Sequence, residues 1–180
     1  MAIKSTIFKA DIQITDLDRH YYQDHALTLA RHPSENDERM MLRLLAFALH
    51  ASNSMRFTKG LSSEDEPELW QKSLSDEIEI WIDLGQPDEK RIRKACGRAK
   101  QVFIYTYHYR SAIVWCQQIQ KKLARFNNLS IIVIPDEAMQ QMGALSQRTM
   151  QLQYTIQDTE VLLSNGETSV SIESEKLLSS

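Results

Sequence analysis

Apolar and polar side chains alternate strictly near both ends of the chain. Residues 6–14 and 22–31 alternate on either side of a polar turn, so they predict a β-hairpin. Residues 150–157 alternate as well, and Asn165–Gly166 is typical of a tight turn between two short strands. We therefore predict that the two terminal segments together build an antiparallel β lobe.

Between these ends, helical spacing alternates with short apolar strands. Ser34 is the predicted N-cap of a first helix, and residues 77–84 form a strand that ends at Gly85. Pro87 is placed at the first position of a helix that reaches residue 100. The remaining elements follow the same order: a strand at 101–107, a helix at 111–126, a strand at 129–134 and a helix that Asp136 caps. This order predicts right-handed crossovers and a largely parallel central sheet.

The pattern predicts the α/β class, in a single domain covering residues 1–180. The α/β core is expected at about 33–146, and the β lobe at 1–32 and 147–178. Two segments lie between the first helix and the strand at 77–84: a short predicted strand near Met55–Thr58 and an acidic segment at 61–76.

Composition narrows the function classes. Five glycines lack the spacing of a phosphate-binding loop, and the longest apolar runs are far below the ~20 residues of a membrane span. The net charge of −3 means that any nucleic-acid contact must use a local basic surface. Cys96 and Cys116 lie on helical apolar stripes and are predicted to be core residues. We expect a cytoplasmic protein without a membrane segment.

Three carboxylates are candidate metal ligands. Asp83 ends the strand at 77–84, Glu68 follows a proline fifteen residues earlier, and Glu38 is in the first turn of the first helix. Converging carboxylates suit Mg²⁺ or Mn²⁺, and a phosphodiester could complete the coordination. A shift of one residue would bring Glu66 to the site instead of Glu68. The alternatives are a solvated Asp83 or an Asp83 paired with Arg91 or Lys94.

A basic helix follows Asp83 directly. It carries six cationic residues: Lys90, Arg91, Arg93, Lys94, Arg98 and Lys100. Arg91, Lys94 and Arg98 are the predicted contacts to a nucleic-acid backbone. The alternative is a solvated helix face with ion pairs such as Glu89–Arg93.

Several strings resemble the YaeQ family of small bacterial proteins. They are Leu29-Ala-Arg-His-Pro-Ser-Glu35, Glu38-Arg-Met-Met-Leu-Arg-Leu-Leu45, Asp65-Glu-Pro-Glu-Leu-Trp70, Asp83-Leu-Gly-Gln-Pro-Asp-Glu89, Arg148-Thr-Met-Gln-Leu-Gln153 and Thr155-Ile-Gln-Asp158. The resemblance covers essentially the whole chain. It implies a fold similar to the PD-(D/E)XK restriction-endonuclease-like superfamily, with a mixed-sheet core flanked by helices.

The resemblance also implies roles for individual residues. The superfamily motif has an acid in the first helix, a proline–acid pair and a strand acid, which Glu38, Glu68 and Asp83 match here. Gly85 stands where the motif has a lysine, so Lys90 or Lys94 on the next helix would supply the catalytic amine. The implied function is metal-dependent cleavage or processing of nucleic acid. The alternative is a non-catalytic member that binds nucleic acid or a protein partner.

Overall fold

The structure is a computed structural model that describes residues 4–60 and 63–179. The predicted domain 1–180 also includes residues 1–3, 61–62 and 180, which lie outside the described residues. Four helices are present within the described part: α1 (Asp37–Leu49), α2 (Glu89–Arg98), α3 (Tyr109–Leu123) and α4 (Asp136–Ala144). The strands there are β1 (Thr6–Asp16), β2 (Tyr21–Arg31), β3 (Met55–Phe57), β4 (Leu69–Lys72), β5 (Ile78–Leu84), β6 (Ala99–Thr106), β7 (Leu129–Val133), β8 (Thr149–Gln157), β9 (Glu160–Ser164), β10 (Ser169–Glu173) and β11 (Glu175–Ser179).

The chain forms two compact units, so the fold is mixed α/β with two sheets. The first unit comprises Met1–Leu49 and Glu137–Ser174, and the second comprises His50–Asp136 and Glu175–Ser180. The first thus contains β1, β2, β8, β9 and β10 of the predicted β lobe, together with α1 and most of α4, whereas β11 belongs to the second unit. No helix in the described ranges is both long and apolar enough to cross a membrane.

The five-stranded sheet of the first unit has the order β10-β9-β8-β1-β2. The predicted hairpin of β1 and β2 is confirmed, and so is the turn that joins β9 to β10. The prediction of a purely antiparallel lobe is wrong, because β1 and β8 pair in parallel. These two strands come from opposite ends of the chain, so no hairpin forces them to run in opposite directions.

Helix α1 is buried from Met40 to Ala48 in the first unit. The prediction of Ser34 as its N-cap is wrong, because the Ser34 hydroxyl lies 2.7 Å from Nδ1 of His32 in a preceding turn. The Asn36 side chain instead accepts a hydrogen bond from the backbone N–H of Arg39 at 2.8 Å. The helix therefore begins at Asp37, two residues later than a cap at Ser34 predicts.

The six-stranded sheet of the second unit has the order β11-β7-β6-β5-β4-β3. Its central strands β5, β6 and β7 pair in parallel, as predicted, but the other three pairings of the sheet are antiparallel, so the prediction of a largely parallel sheet is wrong. The sequence pattern gave no strand at β4, within the acidic segment, or at β11, and both add to the sheet in antiparallel orientation. Cys96 and Cys116 lie in the apolar core of this unit, as predicted.

Two caps in the second unit differ from the predictions. Pro87 precedes the cap of α2, because the Asp88 side chain accepts the hydrogen bond from the backbone N–H of Arg91 at 2.8 Å. Asp136 was expected to cap α4, but its Oδ1 accepts from the first N–H of α3, that of Tyr109, at 3.0 Å. His108, the residue before α3, is in the left-handed region with φ 59° and makes no side-chain cap. Asp136 thus satisfies a helix terminus that local sequence leaves open.

Candidate functional site

Glu68 and Asp83 lie next to each other in the second unit. The backbone N–H of Glu68 donates to the carbonyl of Ile82 at 2.9 Å, and β4 then continues antiparallel to β5. Both carboxylates are nearly inaccessible, since Asp83 is 3% exposed and Glu68 is 7% exposed. A buried carboxylate needs a cation or several hydrogen-bond donors to remain charged.

Arg91 supplies that cation. Its Nε donates to Asp83 Oδ2 and its Nη2 to Asp83 Oδ1, each at 3.0 Å, in a bidentate pair. The same guanidinium donates to the backbone carbonyls of Glu64 at 3.0 Å and Glu66 at 2.9 Å. Four oxygens therefore surround one arginine. Of the alternatives for Asp83, the structure has the ion pair with Arg91.

The pKa of Arg91 reflects this surrounding. Burial of the guanidinium lowers its pKa, but the hydrogen bonds and charge of Asp83 raise it, and the charges of Glu68 and Asp88 add to the effect. The net result is a raised pKa, so the arginine stays charged at any pH at which the protein is folded. Glu68 contributes to the site through its charge as well as its position.

Gly60 makes room for the Glu68 carboxylate. Its backbone lies in the left-handed region with φ +49°, where glycine is favoured. A Cβ at this position would lie 2.4 Å from Glu68 Oε2, well inside contact distance. The Thr58 N–H donates to the Glu68 carbonyl at 3.1 Å and fixes the backbone there. Glu66 has a different position, since its Oε2 accepts from the Lys59 N–H at 3.3 Å.

Glu38, the third predicted metal ligand, belongs to the first unit, whereas Glu68 and Asp83 belong to the second. It lies in the first turn of α1, where Gly143 leaves space for it: a Cβ there would be 2.7 Å from Glu38 Cγ. Throughout residues 4–60 and 63–179, no group of three or more His, Cys, Asp and Glu side chains is arranged to hold a metal ion.

The predicted catalytic lysines lie on α2. Lys90 is exposed, and Lys94 Nζ binds Asp65 Oδ1 at 2.7 Å. At the position of the motif lysine, Gly85 turns the chain with φ +87° between β5 and α2. A longer side chain at Gly85 would be strained there, whatever space surrounds it.

Arg91, Lys94 and Arg98 form one stripe along α2, because they are three and four residues apart. We call these three residues the α2 stripe. All three bind the loop 64–66: besides the Arg91 and Lys94 contacts, Arg98 Nη1 donates to the carbonyl of Asp65 at 2.8 Å. The guanidinium of Arg98 also lies 5.2 Å from the ring centre of Trp81. The predicted nucleic-acid contacts are thus engaged with an acidic segment of the chain itself.

A second basic surface lies on the neighbouring helix. Helices α2 and α3 are in contact, and Trp115 Nε1 of α3 donates to the Pro87 carbonyl before α2 at 3.0 Å. We define the α2–α3 surface by its exposed cations, which are Lys90, Arg93, Lys121, Lys122 and Arg125. The cations at 121–125 were not among the predicted contacts, although the sequence carries a signal for them: residues 89–125 contain ten Lys and Arg and a single acid, Glu89.

The pKa of Glu89 responds to cations of both helices. A hydrogen bond from Arg93 is the main reason that its pKa is lowered, and slight burial opposes the shift. The charges of Arg93, Lys122 and Arg125 add to the lowering, so cations from both helices act on one carboxylate. The surface therefore combines charge from α2 and α3.

Comparison with known proteins gives one consistent result. The model of the family described as "YaeQ protein" matches residues 1–174. The chain is 49% identical over 173 residues to "Uncharacterized protein YaeQ" of Salmonella typhi, covering 96% of each chain. It is 48% identical over 172 residues to the protein of the same name from Escherichia coli (strain K12), covering 96% of this chain and 95% of that one.

Two solved structures have the same fold. The crystal structure of YaeQ protein from Xanthomonas axonopodis pv. citri matches with a TM-score of 0.94 at 42% identity, covering 98% of this chain and 99% of that one. The crystal structure of YaeQ protein from Pseudomonas syringae matches with a TM-score of 0.93 at 32% identity, covering 98% of this chain and 97% of that one. The chain therefore belongs to the YaeQ family.

Proposed function

We propose that this chain is a nucleic-acid-binding protein that acts without a bound metal ion, in a fold related to the PD-(D/E)XK nucleases. The observation that carries the proposal is the α2–α3 surface. Its five exposed cations and the single acid beside them, Glu89, stand out in a chain whose net charge is −3. Clustered Lys and Arg side chains on one surface are the electrostatic signature of phosphate-backbone binding.

The division of charge between the two units supports this assignment. Seven Lys and Arg accompany twelve Asp and Glu in the first unit, whereas fourteen accompany twelve in the second. A polyanion is therefore attracted by the second unit and repelled by the first. Within the second unit the attraction concentrates on α2 and α3.

The pair of Asp83 and Arg91 favours binding over metal-dependent hydrolysis. Both Asp83 oxygens already accept hydrogen bonds from the guanidinium, so a metal ion would have to displace it. A divalent cation next to a retained guanidinium would also meet direct charge repulsion. At Asp83, the arginine thus has the charge-neutralising role that a metal would otherwise have.

The test is a fluorescence anisotropy titration of labelled single- and double-stranded oligonucleotides in EDTA, over a range of salt concentrations. We expect salt-dependent binding by the unaltered protein. In the double variant Lys121→Gln/Lys122→Gln, binding weakens, and the slope of log K against log salt falls by about two phosphate contacts.

The matched control is Lys4→Gln/Lys9→Gln, which removes two exposed charges from the first unit. We expect its salt slope to equal that of the unaltered protein, because these lysines lie outside the binding surface. Absence of binding at low salt, or equal losses in the two double variants, would refute the proposal.

A second candidate function is the metal-dependent cleavage of nucleic acid. The observation that favours it is the buried proximity of Glu68 and Asp83 on neighbouring strands. In that case Mg²⁺ or Mn²⁺ would replace the Arg91 guanidinium at Asp83, with Glu68 as a second ligand, and Lys90 or Lys94 would stabilise the developing charge. Arg91, Lys94 and Arg98 would hold the substrate. A nuclease screen with Mn²⁺, using Asp83→Ala as the inactive control, tests this candidate.

A further inference from the structure

An acidic segment of the chain covers the α2 stripe. We call residues 64–66 (Glu64-Asp65-Glu66) the acidic strap. Its backbone carbonyls accept from Arg91 and Arg98, and its Asp65 carboxylate accepts from Lys94 at 2.7 Å. Every cation of the stripe is therefore bound to an oxygen of the strap.

The groups that the strap presents are the groups that a nucleic-acid backbone presents. A phosphodiester offers anionic and neutral oxygens at regular intervals, and arginine and lysine bind it through N–H donors. The strap offers three carbonyl oxygens and one carboxylate to the same three side chains. It can therefore occupy the stripe in competition with a phosphate backbone.

The contacts of the strap differ in burial, and this difference determines where the strap can open. Arg91 is fixed by its bidentate pair with buried Asp83, whereas Asp65 is 82% and Lys94 is 47% exposed. Exposed ion pairs contribute little to stability and are screened by salt, so breaking the contact between Asp65 and Lys94 costs little free energy. The hydrogen bond and charge of Lys94 lower the pKa of Asp65, against a small effect of burial, and Arg98 adds to the lowering. Asp65 thus remains an anion at neutral pH.

We infer that the acidic strap is a built-in competitor for nucleic acid, and that phosphates bind Lys94 and Arg98 only after displacing Asp65. This inference rests on the proposed function and adds regulation of the same basic surface. Unlike the cations of α3, which are exposed in the structure, the stripe is available only when the strap opens. The acidic strap therefore blocks the α2 stripe, which is one part of the binding surface, until the strap is displaced.

The test compares Asp65→Asn with Asp76→Asn in the anisotropy titration. The two aspartates are matched, since Asp76 is 83% exposed, pairs with Lys72 at 3.5 Å and lies in the same unit. Removing the strap charge frees Lys94 for phosphate, so Asp65→Asn should bind about three- to fivefold more tightly at low salt. Its salt slope should also steepen by about one contact, whereas Asp76→Asn should leave the slope unchanged.

A double-mutant cycle with Lys94→Gln separates competition from a general gain of positive charge. Lys94→Gln should weaken binding more in the Asp65→Asn background than in the unaltered protein, because Lys94 contacts phosphate only when it is released. Equal effects in the two backgrounds would overturn the inference, and so would an affinity gain in Asp76→Asn as large as that in Asp65→Asn. Melting curves establish that each variant is folded.

The outcomes also separate this inference from the proposed function. Binding by the unaltered protein with no difference in Asp65→Asn overturns the strap and leaves the function intact. Binding by both proteins, with the higher affinity and the steeper salt slope in Asp65→Asn, supports both. Absence of binding in both proteins overturns both.

Discussion

Individual residues decide whether the acid pair binds a metal or an arginine. The sequence alone makes Glu68 and Asp83 candidates for neighbouring positions. Asp83 is the acid near the end of a predicted strand, and Glu68 belongs to a Pro–acid pair. The sequence left the partner of Asp83 open among metal, solvent, Arg91 and Lys94. The choice depends on the rotamer of Arg91 and on the carbonyls of residues 64 and 66, which only the folded loop brings together.

The two buried thiols give a prediction at the same scale. Burial raises the pKa of Cys96 to about 11 and also raises that of Cys116. An unfolded thiol ionises near pH 8.5, so the native state loses stability as pH rises from about 8.5 to 11. At pH 8 we expect an aromatic disulfide reagent to modify both cysteines much more slowly in the folded protein than in urea. Rapid modification of the folded protein would contradict their burial in the core of the second unit.

Elements were predictable where the pattern is periodic and local. The alternating strands and the strand–helix order between residues 77 and 134 follow from side-chain periodicity alone. The strands β4 (Leu-Trp-Gln-Lys) and β11 (Glu-Lys-Leu-Leu-Ser) do not alternate between apolar and polar residues, and they form because neighbouring strands offer hydrogen-bonding edges. The parallel pairing of β1 with β8 is likewise set by tertiary structure, since nothing local distinguishes it from the antiparallel alternative.

Helix caps show the same limit. Asp136 sits at the start of α4 in sequence, but its carboxylate caps α3, which begins 27 residues earlier. We expect Asp136→Ala to cost about 1 kcal/mol of unfolding free energy, the usual loss for a removed cap, and to lower Tm by about 2–4 °C. Asp136→Asn keeps an acceptor oxygen and should lose only a fraction of that. Equal Tm values for Asp136→Ala and the unaltered protein would show that the cap does not stabilise α3.

At the scale of the whole molecule, charge is more informative than fold. The α/β class and membership of the YaeQ family leave the activity open, because one fold supports many functions. The uneven distribution of Lys and Arg instead points to a polyanionic ligand for the second unit. Total net charge hid this feature, since an excess of acid in the first unit outweighs the excess of base in the second.

The central claim is that Arg91, and not a metal ion, neutralises buried Asp83. The most direct measurement is a set of four melting curves, for the unaltered protein and Asp83→Asn, each with EDTA and with Mn²⁺. Asp83→Asn removes the charge that pairs with Arg91, so we expect it to lower the unfolding free energy by about 1–3 kcal/mol. We expect Mn²⁺ to leave both Tm values unchanged. A rise of several degrees in the Tm of the unaltered protein with Mn²⁺, absent in Asp83→Asn, would contradict this account and establish a metal site at Asp83.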